Sequence, residues 1–129
     1  MAVEPVTMAA VRQRIDLDAA AEELRRRAAS WRENGLHVGD LTWADGQTTV
    51  HPVTTDRGAV RGDYSVGVAV RRGEREGILV LYGGGWCDLI VWSGRPGDAA
   101  VDEVPGWQDW LDLQAFSRVV DRFEALLLE

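Results

Sequence analysis

Between residues 64 and 93 the sequence changes character every second residue, and that period constrains the fold more than any other feature. Tyr64, Val66, Val68 and Val70 alternate with Ser65, Gly67, Ala69 and Arg71, so this segment has one bulky side and one thin side. Extended strands place successive side chains on opposite faces, which is the pattern seen here. The polar run 72–77 leads into Ile78-Leu79-Val80-Leu81-Tyr82, and Gly83-Gly84-Gly85 separates it from a further alternating strand over 86–93. In that strand Trp86, Asp88, Ile90 and Trp92 share one face, and Cys87, Leu89 and Val91 share the other. The thin row leaves room for a ligand or for a closely packed helix, and the helix is the simpler expectation.

The flanking segments carry a different period. Leu17, Ala21, Leu24, Ala28 and Trp31 recur at steps of four and three, which predicts a helix over 18–34. Asp16 or Asp18 is placed to cap its start, and Gly35 to end it. Phe116, Val119, Val120, Phe123, Leu126 and Leu127 form the apolar stripe of a second helix over 113–128, with Asp112 as its candidate cap. Segments 36–43 and 47–54 flank the turn Ala44-Asp45-Gly46 and read as a hairpin, with Pro52 demoting its second strand toward an edge. Residues 94–106 read as a loop, and 107–111 as a short turn with helical character. The expected fold is α+β, in the order α-β-β-β-β-β-α. Four to five antiparallel strands form one sheet with both helices on one face. At 129 residues, 1–129 is expected to be a single domain.

Charge narrows the function classes. The chain has no lysine, and its formal charge of -7 is unevenly spread. Residues 1–97 hold 13 acids and 12 arginines, whereas 98–129 hold 8 acids and 2 arginines. Phosphate binding needs clustered positive charge, so nucleic acid is not the expected partner. No apolar run approaches the ~20 residues of a membrane span, and no membrane partner is expected. Cys87 is the sole cysteine, which excludes an intrachain disulfide and fits a reducing compartment. With no basic-then-apolar start before Ile15, a cytoplasmic location is expected.

Catalytic patterns are weak. The glycine triplet precedes a strand rather than a helix and lacks a lysine, so it reads as a bend and not as a phosphate loop. Cys87 shares its face with Leu89 and Val91, the setting of a buried structural thiol rather than a nucleophile serving with His37 or His51. His37, His51 and Asp88 lack metal-ligand spacing. Ser93 more simply ends a strand than forms a nucleophile elbow. No catalytic, cofactor or metal residue is expected.

The segment 98–112 stands out, with five acids, no base and two tryptophans. Tryptophans ringed by polar groups anchor many protein interfaces, and acids steer a basic partner. The expected partner-binding residues are Trp92, Asp98, Asp102, Glu103, Trp107, Asp109, Trp110 and Asp112. The plainer reading is that Trp107 and Trp110 close the core while the acids are merely solvated.

The run Gly85-Trp86-Cys87-Asp88-Leu89-Ile90-Val91-Trp92-Ser93-Gly94, followed by an acidic loop and a terminal amphipathic helix, resembles small actinobacterial toxin-immunity proteins of the TriTu type. That resemblance implies a non-catalytic inhibitor that binds and neutralises a cognate toxin, and the acidic segment is compatible with a basic one. Size, acidity and element order also look like small secretion chaperones, which implies a homodimer holding an effector protein. A third expectation is a small enzyme or ligand carrier with a pocket on the sheet.

Overall fold

The computed structural model describes residues 15–44, 53–60 and 64–129. Helix α1 (Leu17–Glu33) leads into two short strands, β1 (His37–Val38) and β2 (Thr42–Ala44). A single 3-10 turn, Arg57–Ala59, precedes β3 (Ser65–Arg72), β4 (Arg75–Tyr82), β5 (Trp86–Trp92) and β6 (Val101–Glu103), and helix α2 (Leu113–Leu128) ends the chain. All six strands belong to one antiparallel sheet, so the α+β architecture read from the sequence is present.

Two features of the sheet differ from the sequence reading. The strand expected over 36–43 is broken, and β1 and β2 pair separately with β3 on the same edge. Gly39 and Asp40, both poor strand formers, lie in the break, where Gly39 N–H still donates to Ala69 O at 2.9 Å. The loop expected over 94–106 contains β6, which pairs with Leu89, Ile90 and Val91 and adds an edge strand beside β5. Three residues give too short a period to detect. The second arm of the hairpin lies mostly outside the described residues, but Thr54 reaches Trp43 through a reciprocal pair of backbone hydrogen bonds.

Both helices cover one face. Val66, Val68 and Val70 of β3, Leu79 and Leu81 of β4, and Cys87, Leu89 and Val91 of β5 are buried in one core with the stripes of α1 and α2. The bulky row of β3 therefore meets the helices, and the thin row Ser65, Gly67 and Ala69 lies on the opposite face. That overturns the expectation that the thin row seats a helix. The close approach is made by Gly77 instead, where an added Cβ would stand 2.7 Å from Phe123 Cε1. Bulky β-branched side chains bury more apolar area than a thin row, so they take the helix side.

Polar groups fix how the helices sit together. The Asp16 carboxylate caps α1 by accepting from the amides of Asp18 and Ala19. Arg27 bridges to α2 through Asp121 Oδ1 at 2.7 Å and the Ser117 hydroxyl at 3.1 Å. Its Nε also donates to Glu23 Oε2 at 2.9 Å. Trp31 Nε1 donates to Glu124 Oε1 at 2.6 Å while its ring meets Phe123 edge-on. At Glu23 burial would raise the carboxyl, but hydrogen bonds from Arg27 and Ser117 and the charges of Arg26 and Arg27 outweigh it, holding the group below its usual range.

Replacing Gly77 with alanine should force the Phe123 ring to shift. The expected cost is about 1–3 kcal/mol, the scale of overpacking, read as a lower urea midpoint. A carboxyl with a depressed folded pKa adds stability above its unfolded pKa and loses it as pH falls through the folded value. Glu23→Gln should therefore be less stable than wild type near neutrality, and the gap in unfolding free energy should close as the solution is acidified.

Candidate functional site

Because both described helices occupy one face, the other side chains of the alternating strands form a second, open face that, among the described residues, no helix covers. The register orders that face in rows. Ala44, Ser65, Tyr82 and Trp86 lie across one end, followed by Thr42, Gly67, Val80 and Asp88. Next come Ala69, Ile78, Ile90 and Asp102, and at the far end His37, Arg71, Glu76 and Trp92. The middle of the face is thus aliphatic, one end is aromatic, and the other is mixed in charge.

The aromatic end is continuous. Tyr64 meets Tyr82 edge-on at 5.4 Å, Tyr82 stacks on Trp86 at 4.2 Å, and Trp107 stands nearly perpendicular to Trp86 at 5.0 Å. Tyr82 Oη donates to Asp88 Oδ2 at 2.7 Å. Burial, that hydrogen bond and the Asp88 charge together push the Tyr82 hydroxyl well above its usual pKa, so it remains a donor.

The loop that delivers Trp107 is held on the turn between β4 and β5. Cys87 N–H donates to Pro105 O at 2.9 Å and Leu111 N–H to Gly85 O at 2.6 Å. Gly106 has φ of +86, and a Cβ there would stand 2.6 Å from Gly85 O, so the crossing requires glycine on both counts. Trp110 holds φ of +56, a left-handed conformation that costs a bulky residue roughly 1–2 kcal/mol. Its amide closes the turn onto Gly106 O at 2.9 Å.

The eight expected binding residues do not gather in one patch. Trp107, Trp110 and Trp92 are all surface residues, 56%, 42% and 36% exposed, so neither Trp107 nor Trp110 closes the core. Trp107, Asp109 and Trp110 occupy the loop at the aromatic end. Trp92 lies six residues along β5 from Trp86, roughly 20 Å away in an extended strand. There its indole donates to Asp98 O, and the Asp98 carboxylate accepts from Ser93 Oγ. Asp102 lies between the two ends, opposite Ile90. Glu103 is engaged elsewhere, accepting from Arg122 of α2 at 2.8 Å, a contact that lowers its pKa. Asp112 caps α2 by accepting from Ala115 N–H. A period of two separates Asp102 from Glu103, but residues 94–106 read as a loop and concealed it.

Tyr82, Asp88 and exposed Ile78 were not among the expected residues, although the alternation in β5 had already grouped Asp88 with Trp86 and Ile90. Cys87, Leu89 and Val91 are buried as expected, whereas in β3 the bulky row rather than the thin row meets the helices.

The residues weighed for catalysis are dispersed. Cys87 is fully buried, and burial followed by the neighbouring Asp88 charge pushes its thiol far above the reactive range. His37 is exposed on β1, and His51 lies outside the described residues. An open groove of about 580 Å³ beside Ala69 is lined by His37, Arg71, Glu76 and Ile78, with no hydroxyl or thiol in its walls. Among the described residues no three His, Cys, Asp or Glu side chains gather as a metal site would require. Nor is any described helix long and apolar enough to cross a membrane. No known protein family, characterised protein or solved structure matches the chain.

Gly106→Ala should detach the 106–111 loop from Gly85. The expected result is loss of the Trp86–Trp107 contact, seen as a changed near-ultraviolet circular dichroism signal, with a stability cost of about 1–3 kcal/mol.

Proposed function

We propose that this protein is a non-catalytic binding module that docks a basic protein on the open face of its sheet, in the manner of an immunity-type inhibitor. The observation carrying this reading is the sheet face that neither described helix covers. It joins aliphatic Ile78, Val80 and Ile90 to the Tyr64–Tyr82–Trp86–Trp107 aromatic row, with Asp88 and Asp102 set among them. Interface cores use such aromatic anchors, and a surrounding negative potential speeds the encounter with a positive partner. Asp88 and Asp102 on the face, with Asp98 and Asp109 in the loops at its two ends, supply that potential. Inhibition in this reading is steric, since the module occupies its partner's surface and performs no chemistry on it. A basic toxin is the partner that best fits both the charge and the resemblance of the 85–94 run to immunity proteins.

A secretion-chaperone-like homodimer through the same face is less favoured. In a two-fold pairing each patch meets its own copy, so acids near the axis face acids.

The test uses the product of the adjacent gene as partner and isothermal titration calorimetry as the readout. Trp107→Ala and Ile78→Asp, both on the open face, should each weaken binding by about thirtyfold or more, as hot-spot truncations do. Arg118→Glu, on exposed α2, should leave affinity nearly unchanged. Equal affinity across all three variants would remove the open face from consideration, and a concentration-independent dimer mass by light scattering would favour the chaperone reading.

A further inference from the structure

We infer that the aromatic end of the open face is an arginine-receiving subsite, in which Asp88 pairs with a guanidinium from the partner while Trp86 and Trp107 flank it. This rests on the reading of the open face as a docking surface, and it names the chemical group that anchors there.

Asp88 is half-buried beside Tyr82, and among the described residues its carboxylate takes one hydrogen bond, from Tyr82 Oη, and pairs with no cation. An ionised carboxylate offers about four acceptor positions, so most of its capacity remains for an incoming donor. The Tyr82 hydrogen bond holds Oδ2 and orients the group. Trp86 lies two residues before Asp88 on the same face of β5, and Trp107 walls that end with a ring more than half exposed. The chemistry therefore combines a fixed carboxylate with neighbouring aromatic rings on an outward surface.

The molecule itself shows what such a combination holds. On the other side of the chain the Arg57 guanidinium lies 4.7 Å from the centre of the Trp43 ring and pairs with Asp18 at 3.1 Å. There one arginine satisfies a ring and a carboxylate together. At the aromatic end Tyr82 already stacks on Trp86, so the chain supplies the exposed Trp107 ring, seated against Trp86, together with the Asp88 carboxylate, and the partner supplies the guanidinium. Arginine suits the place better than lysine, because its planar head stacks on a ring while donating two in-plane hydrogen bonds to a carboxylate. Val80 and Ile90, beside Asp88 on the same face, offer apolar surface to the aliphatic stem.

The experiment titrates the full chain with acetyl-Gly-Arg-Gly-amide, following the tryptophan indole N–H signals by nuclear magnetic resonance. Saturable shifts at Trp86 and Trp107 are expected. The citrulline version of the peptide, equal in shape but uncharged, should produce none at the same concentration. Asp88→Asn should weaken the arginine peptide by about tenfold or more, whereas Asp102→Asn should change it by no more than about twofold, since only the first removes the paired charge. Should Asp88→Asn not fold, Trp107→Ala serves as the second variant and should also weaken the peptide. No saturable shift, equal binding of the citrulline peptide, or undiminished binding by the Asp88 variant would overturn the subsite. If the peptide fails while the protein partner still binds through the open face, the docking reading stands and the arginine anchor falls. If the peptide binds at Asp88 and no protein partner does, the reverse holds.

Discussion

The packing of Phe123 against Gly77 decides which side of this sheet meets water. A side chain at position 77 would hold α2 off the strands, and its absence lets the ring drop onto the backbone of β4. From there Phe123 reaches Trp31 of α1, whose indole is tied back to Glu124 of α2. One contact thus links the sheet to both helices. Once that side is committed, the period of two sends every intervening residue of β3, β4 and β5 to the opposite surface. The open face is the necessary complement of the core.

The same coupling explains what sequence could and could not reveal. The two helices were legible because their apolar stripes run for several turns and begin at Asp16 and Asp112, each of which caps as expected. Strands β3, β4 and β5 were legible from alternation. Sidedness was legible in β5, where Cys87, Leu89 and Val91 are buried, but not in β3, because Val66 and its row look no more core-like than a thin row beneath a helix until Gly77 and Phe123 are seen together. Short elements escaped for a different reason. A three-residue strand such as β6 has too few positions to display a period, and it is defined by long-range pairing to Leu89, Ile90 and Val91.

For the proposed binding surface the sequence is informative about composition and uninformative about address. Trp107 and Trp110 do stand at the surface, and the acids are numerous, yet proximity along the chain did not translate into proximity in space. Trp92 and Trp107 mark opposite ends of one face, and Glu103 and Asp112 serve α2 through an ion pair and a cap. Charge counted over a segment therefore overstates what one partner meets. Asp88, whose carboxylate takes a single hydrogen bond from Tyr82, lies in a strand that alternation explains on its own, so the sequence carries no signal that marks it as a binding residue.

The short edge strand β6 has a consequence for the behaviour of the protein in bulk. An open sheet face rich in isoleucine and tryptophan would be hazardous beside a long flat edge, because unpaired backbone groups recruit further chains into fibrils. Here one border ends in a three-residue strand carrying Asp102 and Glu103, and the other is split between β1 and β2. Among the described residues, neither border presents a long template. Short, interrupted or charged borders of this kind disfavour edge-to-edge pairing, whatever the face between them binds.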